Sequence, residues 1–542
     1  MAGGSTTTTT PAAKRHSLHE FPIAWTEIDG DDDDGDDVPP AIASPLLGGD
    51  VDLERQTSIT TRISRFTRLR HDVICFYFTI SYVFGAGILS LPFAFAHGGL
   101  VASSVVVVAI TAMSTTAGAW LTSVCARAEA IIRPPGKIDS RSQKLHVNCT
   151  RQFEIGELFQ IFYGKAWKEV WDVALLLYCM GGNWLFASIF ANSVSASVLG
   201  HGTCDFSGGG FAWHMSSPCR NAYWASLALL AVIEAALVSF DLKDAWVVTV
   251  PLVFASVCVA LLMFFTVTAA IRGWFLDEIH AEEPSYTYYH DCHAGQPIRA
   301  GNPPPYTCDV PLWLNIHGLA SNLSTFVFAQ LFQHGTPALL NLSGHKRRTP
   351  EIFVAALSST CVLYIAIGVS CALYFGREAV PKMLTSAWVD YGTTPVQRMV
   401  AHVCVVYPAI SVIPGLSVQV VTIANAWAER APWRWMWRSS TTGEERSDDN
   451  KEVWGYVLLR YVFVAIACGL AAITNDVHNI TNITGMLGFL IMLIAPCMLE
   501  ISSRRQVLHG TVFDRRITSS PYVVLGITLF VLIPTTLWGM FL

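Results

Sequence analysis

The chain has 542 residues, 52% hydrophobic and 14% charged, with a mean hydropathy of +0.42 and a formal net charge of −6. That composition excludes a soluble globular protein of this length, and its repeated apolar runs of about 20 residues mark a polytopic membrane protein. No basic stripe points to nucleic acid, and much of the acidity sits in one run, Asp31 to Asp37, broken by Gly35.

Residues 1 to about 66 also carry a Thr run (Thr6 to Thr10) and Pro-rich turns. Low hydrophobicity and like charge cannot support a core, so this segment reads as a disordered acidic cytosolic tail before one transmembrane domain, 67–542. No early apolar core reads as a signal peptide, which leaves the first span as the targeting signal. Arg62, Arg65, Arg68, Arg70 and His71 form a basic collar just before it.

Apolar runs place spans at about 72–96, 100–124, 170–199, 221–240, 245–271, 312–342, 351–375, 396–427, 454–474, 481–500 and 520–541, about eleven in all. A polar loop with Arg127, Arg133, Lys137, Arg141 and Lys144 follows span two. Within it Phe153, Ile155, Leu158, Phe159 and Phe162 recur at helical spacing, which predicts an amphipathic helix on the membrane surface or against the bundle.

Lys and Arg near span ends set orientation. With the N-terminus in the cytosol, the loops after spans two, four, six, eight and ten face the cytosol and hold the basic clusters. Among these are His345 to Arg348 and Arg504, Arg505, Arg515 and Arg516. The opposite loops hold Asp277, Glu278, Glu282, Glu283, Asp291 and Asp476. This orientation puts Cys204 and Cys219 in one non-cytosolic loop and Cys292 and Cys308 in another. Oxidising surroundings there favour one bridge within each loop, with free thiols or cross-loop pairing as the alternatives. Nothing in the pattern separates plasma membrane from lysosome or another endomembrane.

Two spans are interrupted. In span one, V-F-G-A-G-I-L-S-L-P-F-A-F (Val83–Phe95), two glycines flank Ala86 and Pro92 follows. Gly weakens a helix and Pro removes a donor. Backbone groups freed in lipid persist only where protein, water or ligand satisfies them. Span six carries Gln333, His334, Gly335, Thr336 and Pro337 in its middle. Matched breaks five spans apart point to an inverted repeat of five plus five spans, with a site between them at the midplane. Repeat one covers about 72–271, repeat two about 312–500, and about 520–541 is an accessory helix.

Gly85-Ala86-Gly87-Ile88-Leu89-Ser90-Leu91-Pro92 resembles the first-span signature of the amino acid/auxin permease family, part of the amino acid–polyamine–organocation superfamily. The resemblance runs from about residue 70 to 505. Gln333-His334 with Pro337, Tyr407-Pro408, Arg460 and Ile483-Thr484-Gly485 resemble the branch typified by transmembrane protein 104. It implies an all-α polytopic LeuT-type fold with broken helices 1 and 6, and implies that fold more firmly than any substrate.

The residues themselves sketch a site. Gly85, Ala86, Gly87 and Ile88 offer backbone at the first break, where a helix N-terminus attracts a carboxylate and small residues allow close approach. Close helix packing is the plainer use of such glycines. Gln333 and His334 flank the cavity, and Phe328 serves as wall or packing. Neither break holds Lys or Arg, which favours a zwitterion or neutral solute over a dianion. His334 is either a proton-coupling group or a neutral hydrogen-bonding one. Glu234 in span four and Asp172 in span three are ionisable groups in costly places, suited to proton relay or pairing, although Asp172 is near enough to an end to snorkel. Asn183, after Gly181-Gly182, lines the cavity or packs. The resemblance adds sodium held by span-eight hydroxyls, with Ser411 preferred over Ser417. Proton, sodium and no coupling ion all stay open.

No metal set or nucleophile motif is evident, so neither enzyme activity nor a resident cofactor is expected. The expected function is secondary active transport of small neutral amino acids or similar solutes by alternating access. The alternative is a transporter-like receptor or nutrient sensor that binds amino acid without net transport. In either case the tail is available to cytosolic partners.

Overall fold

The computed structural model describes residues 69–84, 87–132, 138–139, 144–145, 151, 153–199, 212–239, 253–269, 291–292, 306–307, 310–380, 388, 394–428, 448–507, 510–511, 513 and 520–541. The chain divides into Met1–Thr61, which lies outside those residues, and Arg62–Leu542, to which all of the following belongs.

The described chain is a succession of helices. They are α1 (Leu69–Phe84), α2 (Gly87–Gly98), α3 (Leu100–Ile132), α4 (Ile155–Tyr163), α5 (Lys165–Leu199), α6 (Ser217–Leu237) and α7 (Val253–Ala269). Then follow α8 (Ile316–Ala329), α9 (Thr336–Leu342), α10 (Thr349–Ala379), α11 (Pro395–Ala428), α12 (Asp448–Ile473), α13 (Val477–Gln506) and α14 (Pro521–Met540). Among the described residues, α3, α5, α10, α11, α13 and α14 hold the six unbroken helices long and apolar enough to cross a membrane. The pair α1 and α2 makes a seventh, bent by 52°. Among the described residues, strands are two-residue pieces: β1 (Ile138–Asp139), β2 (Lys144–Leu145) and β5 (Gly510–Thr511) in one small sheet, and β3 (Asp291–Cys292) antiparallel to β4 (Tyr306–Thr307).

Helix is forced on these runs because lipid offers no partner to a backbone amide. Hydroxyls inside them turn back on their own helix. In α3, Ser104 donates to the Leu100 carbonyl at 2.7 Å, Thr111 to Val107 at 2.7 Å and Thr115 to Thr111 at 2.6 Å. The first amides of α3 have no intrahelical partner. Leu100, Val101 and Ala102 donate instead to the carbonyls of Pro311, Leu312 and Trp313, at 3.1, 3.0 and 3.0 Å. The segment leading into α8 thereby caps α3. Gly99, at φ +94°, makes the turn beneath it, and a Cβ there would meet the Trp313 carbonyl at 3.0 Å.

α5 is the central helix, packed on α4, α6, α11, α12 and α13. α13 also lies against α8, while α2 packs on both α8 and α10. The apolar face of α4 (Ile155, Leu158, Phe159 and Phe162) is buried, so this helix lies against the bundle. A Cβ on Gly156 of α4 would stand 1.7 Å from Asp172 Oδ1. Asp172 is buried under that glycine rather than snorkelling out.

α3 continues past the expected end of span two and carries Arg127 into the interior. Arg127 is 2% exposed and its Nη1 lies 2.7 Å from Glu500 Oε2 of α13, itself fully buried. Ser503 accepts from the same nitrogen at 2.9 Å, and Arg504 pairs with Glu500 Oε1 at 2.6 Å.

Candidate substrate site

Gly85 and Ala86 lie outside the described residues, but both edges of the first break are defined. Stopping a helix inside a membrane leaves carbonyls without amide partners. Tyr364 of α10 supplies one, donating to the Val83 carbonyl at 2.6 Å, and its ring stacks on Phe84 at 5.9 Å between centroids. On the far side, Gly87 opens α2. A Cβ on Gly87 would lie 2.7 Å from both Cα and Cβ of Ala329, the last residue of α8. The two interrupted spans therefore touch through Gly87 and Ala329, at a separation only glycine permits. Ile88, next to it, is fully buried.

In the second break, α8 ends at Ala329 and a short 3₁₀ turn, Gln333–Gly335, leads into α9, with Pro337 in its first turn. Ser114 of α3 organises this stretch. Its hydroxyl donates to the Gln330 carbonyl at 2.7 Å and lies 2.8 Å from Gln333 Nε2, which also donates to the Ser114 carbonyl at 3.0 Å. Gln333 Oε1 accepts from the Phe332 amide at 3.0 Å. The Gln333 amide is thus committed to fastening the break onto α3. Phe328 is buried, 7% exposed.

The far ends of the two broken spans are tied as well. Asp72 of α1 accepts from the Gly344 and His345 amides at 3.0 and 3.1 Å and pairs with His345 Nδ1 at 2.8 Å.

His334 behaves differently from its neighbour Gln333. Its ring sits between Tyr82 of α1, 5.2 Å away, and Tyr178 of α5, 5.5 Å away. It is 9% exposed, and neither ring nitrogen has a hydrogen-bond partner among the described residues. Three to four residues along α5 from Tyr178 come Gly181 and Gly182. A Cβ on Gly181 would meet Thr484 Oγ1 of α13 at 2.7 Å, and one on Gly182 would meet Gln419 Oε1 of α11 at 2.6 Å. Nothing in the sequence singles out Gln419, and Thr484 stands out only within Ile483-Thr484-Gly485. The one signal for them was the glycine pair itself in the middle of a long span.

Glu234 of α6 is fully buried and accepts from Ser417 of α11 at 2.7 Å. Ser411 donates to the Pro408 carbonyl of its own helix at 3.0 Å. The structure thus joins Glu234 to Ser417, while Ser411 turns inward on α11. Arg460 donates to the Val238 carbonyl at 2.9 Å and so caps the end of α6. Cys204 and Cys308 lie outside the described residues, and only the backbone of Cys292 is described, in β3. Cys219 is buried in the first turn of α6, where Ser216 donates to its sulfur at 2.9 Å. Among the described residues no group of three or more His, Cys, Asp or Glu side chains could hold a metal ion.

No curated protein matches the chain. A family model described as transmembrane amino acid transporter protein matches residues 75–538. The match begins within α1 and ends within α14, so both interrupted spans and all the helices around them fall inside it. The chain is therefore a multi-pass membrane protein with a small-molecule substrate, and it belongs to the transmembrane amino acid transporter family.

Proposed function

We propose that the protein is a secondary active transporter of small neutral amino acids or similar solutes, working by alternating access in a LeuT-type arrangement. The observation that carries this reading is the meeting of the two broken spans at Gly87 and Ala329, with His334 in the second break and its ring nitrogens without a hydrogen-bond partner among the described residues. In this reading there are about eleven spans in a five-plus-five repeat, of the character of the transmembrane protein 104 branch. The N-terminus is cytosolic, and its acidic tail is available to cytosolic partners.

The substrate carboxylate meets the backbone at Gly85 to Ile88, and its ammonium meets carbonyls freed at the two breaks. Where transport is coupled to protons or sodium, the candidates are His334, Glu234 and Ser411, with Ser417 added as the hydroxyl that bonds Glu234. What supports the ionisable candidates is that a buried ionisable group in a span is costly, which makes it a default candidate for function. One bridge within each non-cytosolic loop completes the picture. Its support is that Cys219 stands apart from the free cysteines, and that β3 and β4 bring the chain beside Cys308 back to Cys292.

The test is uptake of a panel of radiolabelled amino acids by the purified full chain in proteoliposomes, with pH and sodium gradients imposed separately. Saturable uptake of a neutral amino acid, driven by one of the gradients, is the expected result. Binding of an amino acid with no flux under any gradient would overturn transport.

A further inference from the structure

We infer that His478 and Asn482 of α13 form an acid-sensitive latch onto Ser324 and Thr325 of α8, at the end of α13 that the transport reading places outside the cytosol. The latch holds while the imidazole is neutral and is undone when the imidazole takes up a proton.

Asn482 lies one turn after His478 and is buried. Ser324 and Thr325, both fully buried, donate to its Oδ1 at 2.9 and 3.1 Å. Two donors on one oxygen turn the amide nitrogen the other way, and Nδ2 lies 3.2 Å from His478 Nε2. An amide nitrogen only donates, so His478 Nε2 is the acceptor, and it accepts only while that nitrogen carries no proton. A proton taken up there sets N–H against N–H. Turning the amide over relieves the clash but takes Oδ1 away from Ser324 and Thr325, two buried hydroxyls that are costly to leave without an acceptor. The ring is not free to swing aside. Phe93 of α2 lies against it, 4.8 Å between centroids, and is itself stacked on His97 at 4.0 Å.

The latch closes a contact between backbones. A Cβ on Gly485, three residues after Asn482, would lie 2.2 Å from the Ser324 carbonyl, so α13 is pressed against α8 at this level. His478 itself is half-buried in the first turn of α13, so water reaches the ring while the bonds it governs are sealed inside. Four other titratable or charged groups stand around it. Asp476, which caps α13, accepts from the Asn479 amide and Nδ2 at 3.1 and 2.6 Å. His317 of α8 packs against Trp538, 5.0 Å away. Arg377 of α10 is near enough to His97 to act on it electrostatically. His97 Nδ1 lies 2.9 Å from the Phe93 carbonyl of its own helix. A ring nitrogen that donates to a carbonyl does so neutral or protonated, so a proton on His97 breaks no bond between helices.

The sign follows from the chemistry. Imidazole is the side chain that changes charge around neutral pH. A bond that requires the neutral form stabilises the closed contact at higher pH and is lost as pH falls. In the transport reading, acid on the non-cytosolic side therefore eases α13 away from α8 on that side.

Hydrogen exchange of the purified full chain in detergent, read by mass spectrometry, tests the latch. Going from about pH 8 to about pH 5 should speed exchange around Ser324 and Asn482 at least about fivefold, after correction for the intrinsic effect of pH on exchange. His478→Gln keeps an acceptor near the position of Nε2 and takes up no proton, so exchange there should stay slow at both pH values. Asn482→Leu should exchange fast at both. His97→Gln should keep the wild-type response to acid. A wild type without that response overturns the inference, as does a response that survives in His478→Gln or disappears in His97→Gln. Should His478→Gln fail to fold, the wild type and His97→Gln still decide. None of these measurements needs flux, so a chain that transports no amino acid would sink the transport reading and leave the latch standing.

Discussion

Tyr364 donates its hydroxyl to the carbonyl of Val83 across 2.6 Å, joining α10 to the last turn of α1 where that helix stops. Both partners are buried, so water cannot replace the donor. Tyr364→Phe keeps the ring that stacks on Phe84 and removes only the O–H. Leaving a buried acceptor unsatisfied costs about 1–3 kcal/mol. The variant should melt at a lower temperature in detergent and transport more slowly. An unchanged melting temperature would mean that the Val83 carbonyl is satisfied from elsewhere.

Gly87 faces a harder constraint, because its obstacle is backbone. A Cβ there would stand 2.7 Å from the Cα of Ala329, and a Cα cannot rotate away as a flexible side chain can. Gly87→Leu should abolish uptake while the protein still reaches the membrane, and Gly87→Ala should already impair it severely. Gly85→Leu is expected to do the same, although Gly85 lies outside the described residues. The check is uptake normalised to the amount of protein in the membrane. Near-normal uptake by Gly87→Leu would remove the contact between the breaks from the mechanism.

The interruptions were legible in the sequence because Gly and Pro punctuate an apolar run strongly, and α4 was legible from its helical spacing. Other features were not, for a common reason. Hydropathy ends a span at the first charges, so Arg127 read as loop. A helix carries such a charge inward when a partner such as Glu500 waits far along the chain. Gln333 read as a cavity residue, but its partner Ser114 is 219 positions away, and nothing local announces it. Ser411 and Ser417 look alike as letters. Which of them meets Glu234 depends on the rotation of α11 against α6, and packing sets that rotation. Gln419 and Thr484 are single polar letters in apolar runs, and only the packing of α11 and α13 on α5 sets each of them against a glycine.

Ser114 and Gln333 form one unit. The serine holds the Gln330 carbonyl and the glutamine amide together, and the amide also braces the Phe332 backbone. Ser114→Ala and Gln333→Leu should each destabilise the protein by about 1–3 kcal/mol. Because they disable the same network, the double variant should fall short of their sum by roughly 0.5–3 kcal/mol. Strict additivity in a double-mutant cycle, read from unfolding in detergent, would show the two side chains acting independently.

Two arginines bond the same carboxylate from different surroundings, and this separates burial from charge. Arg127 is 2% exposed, whereas the Arg504 side chain is 44% exposed, and each lies within hydrogen-bond distance of the fully buried Glu500. Removing one partner of a buried pair costs roughly 3–5 kcal/mol, whereas a partner left open to solvent, as Arg504 is, is screened and contributes less. Arg127→Met should therefore destabilise the protein far more than Arg504→Met. Replacing both buried partners, Arg127→Met with Glu500→Met, should recover much of the loss, since it removes the buried charges together. Unfolding in detergent measures all three variants. Equal losses for the two single arginine variants would mean that Glu500 does not distinguish its buried partner from its exposed one, and that the ionic contact between α3 and α13 contributes no more than a surface pair.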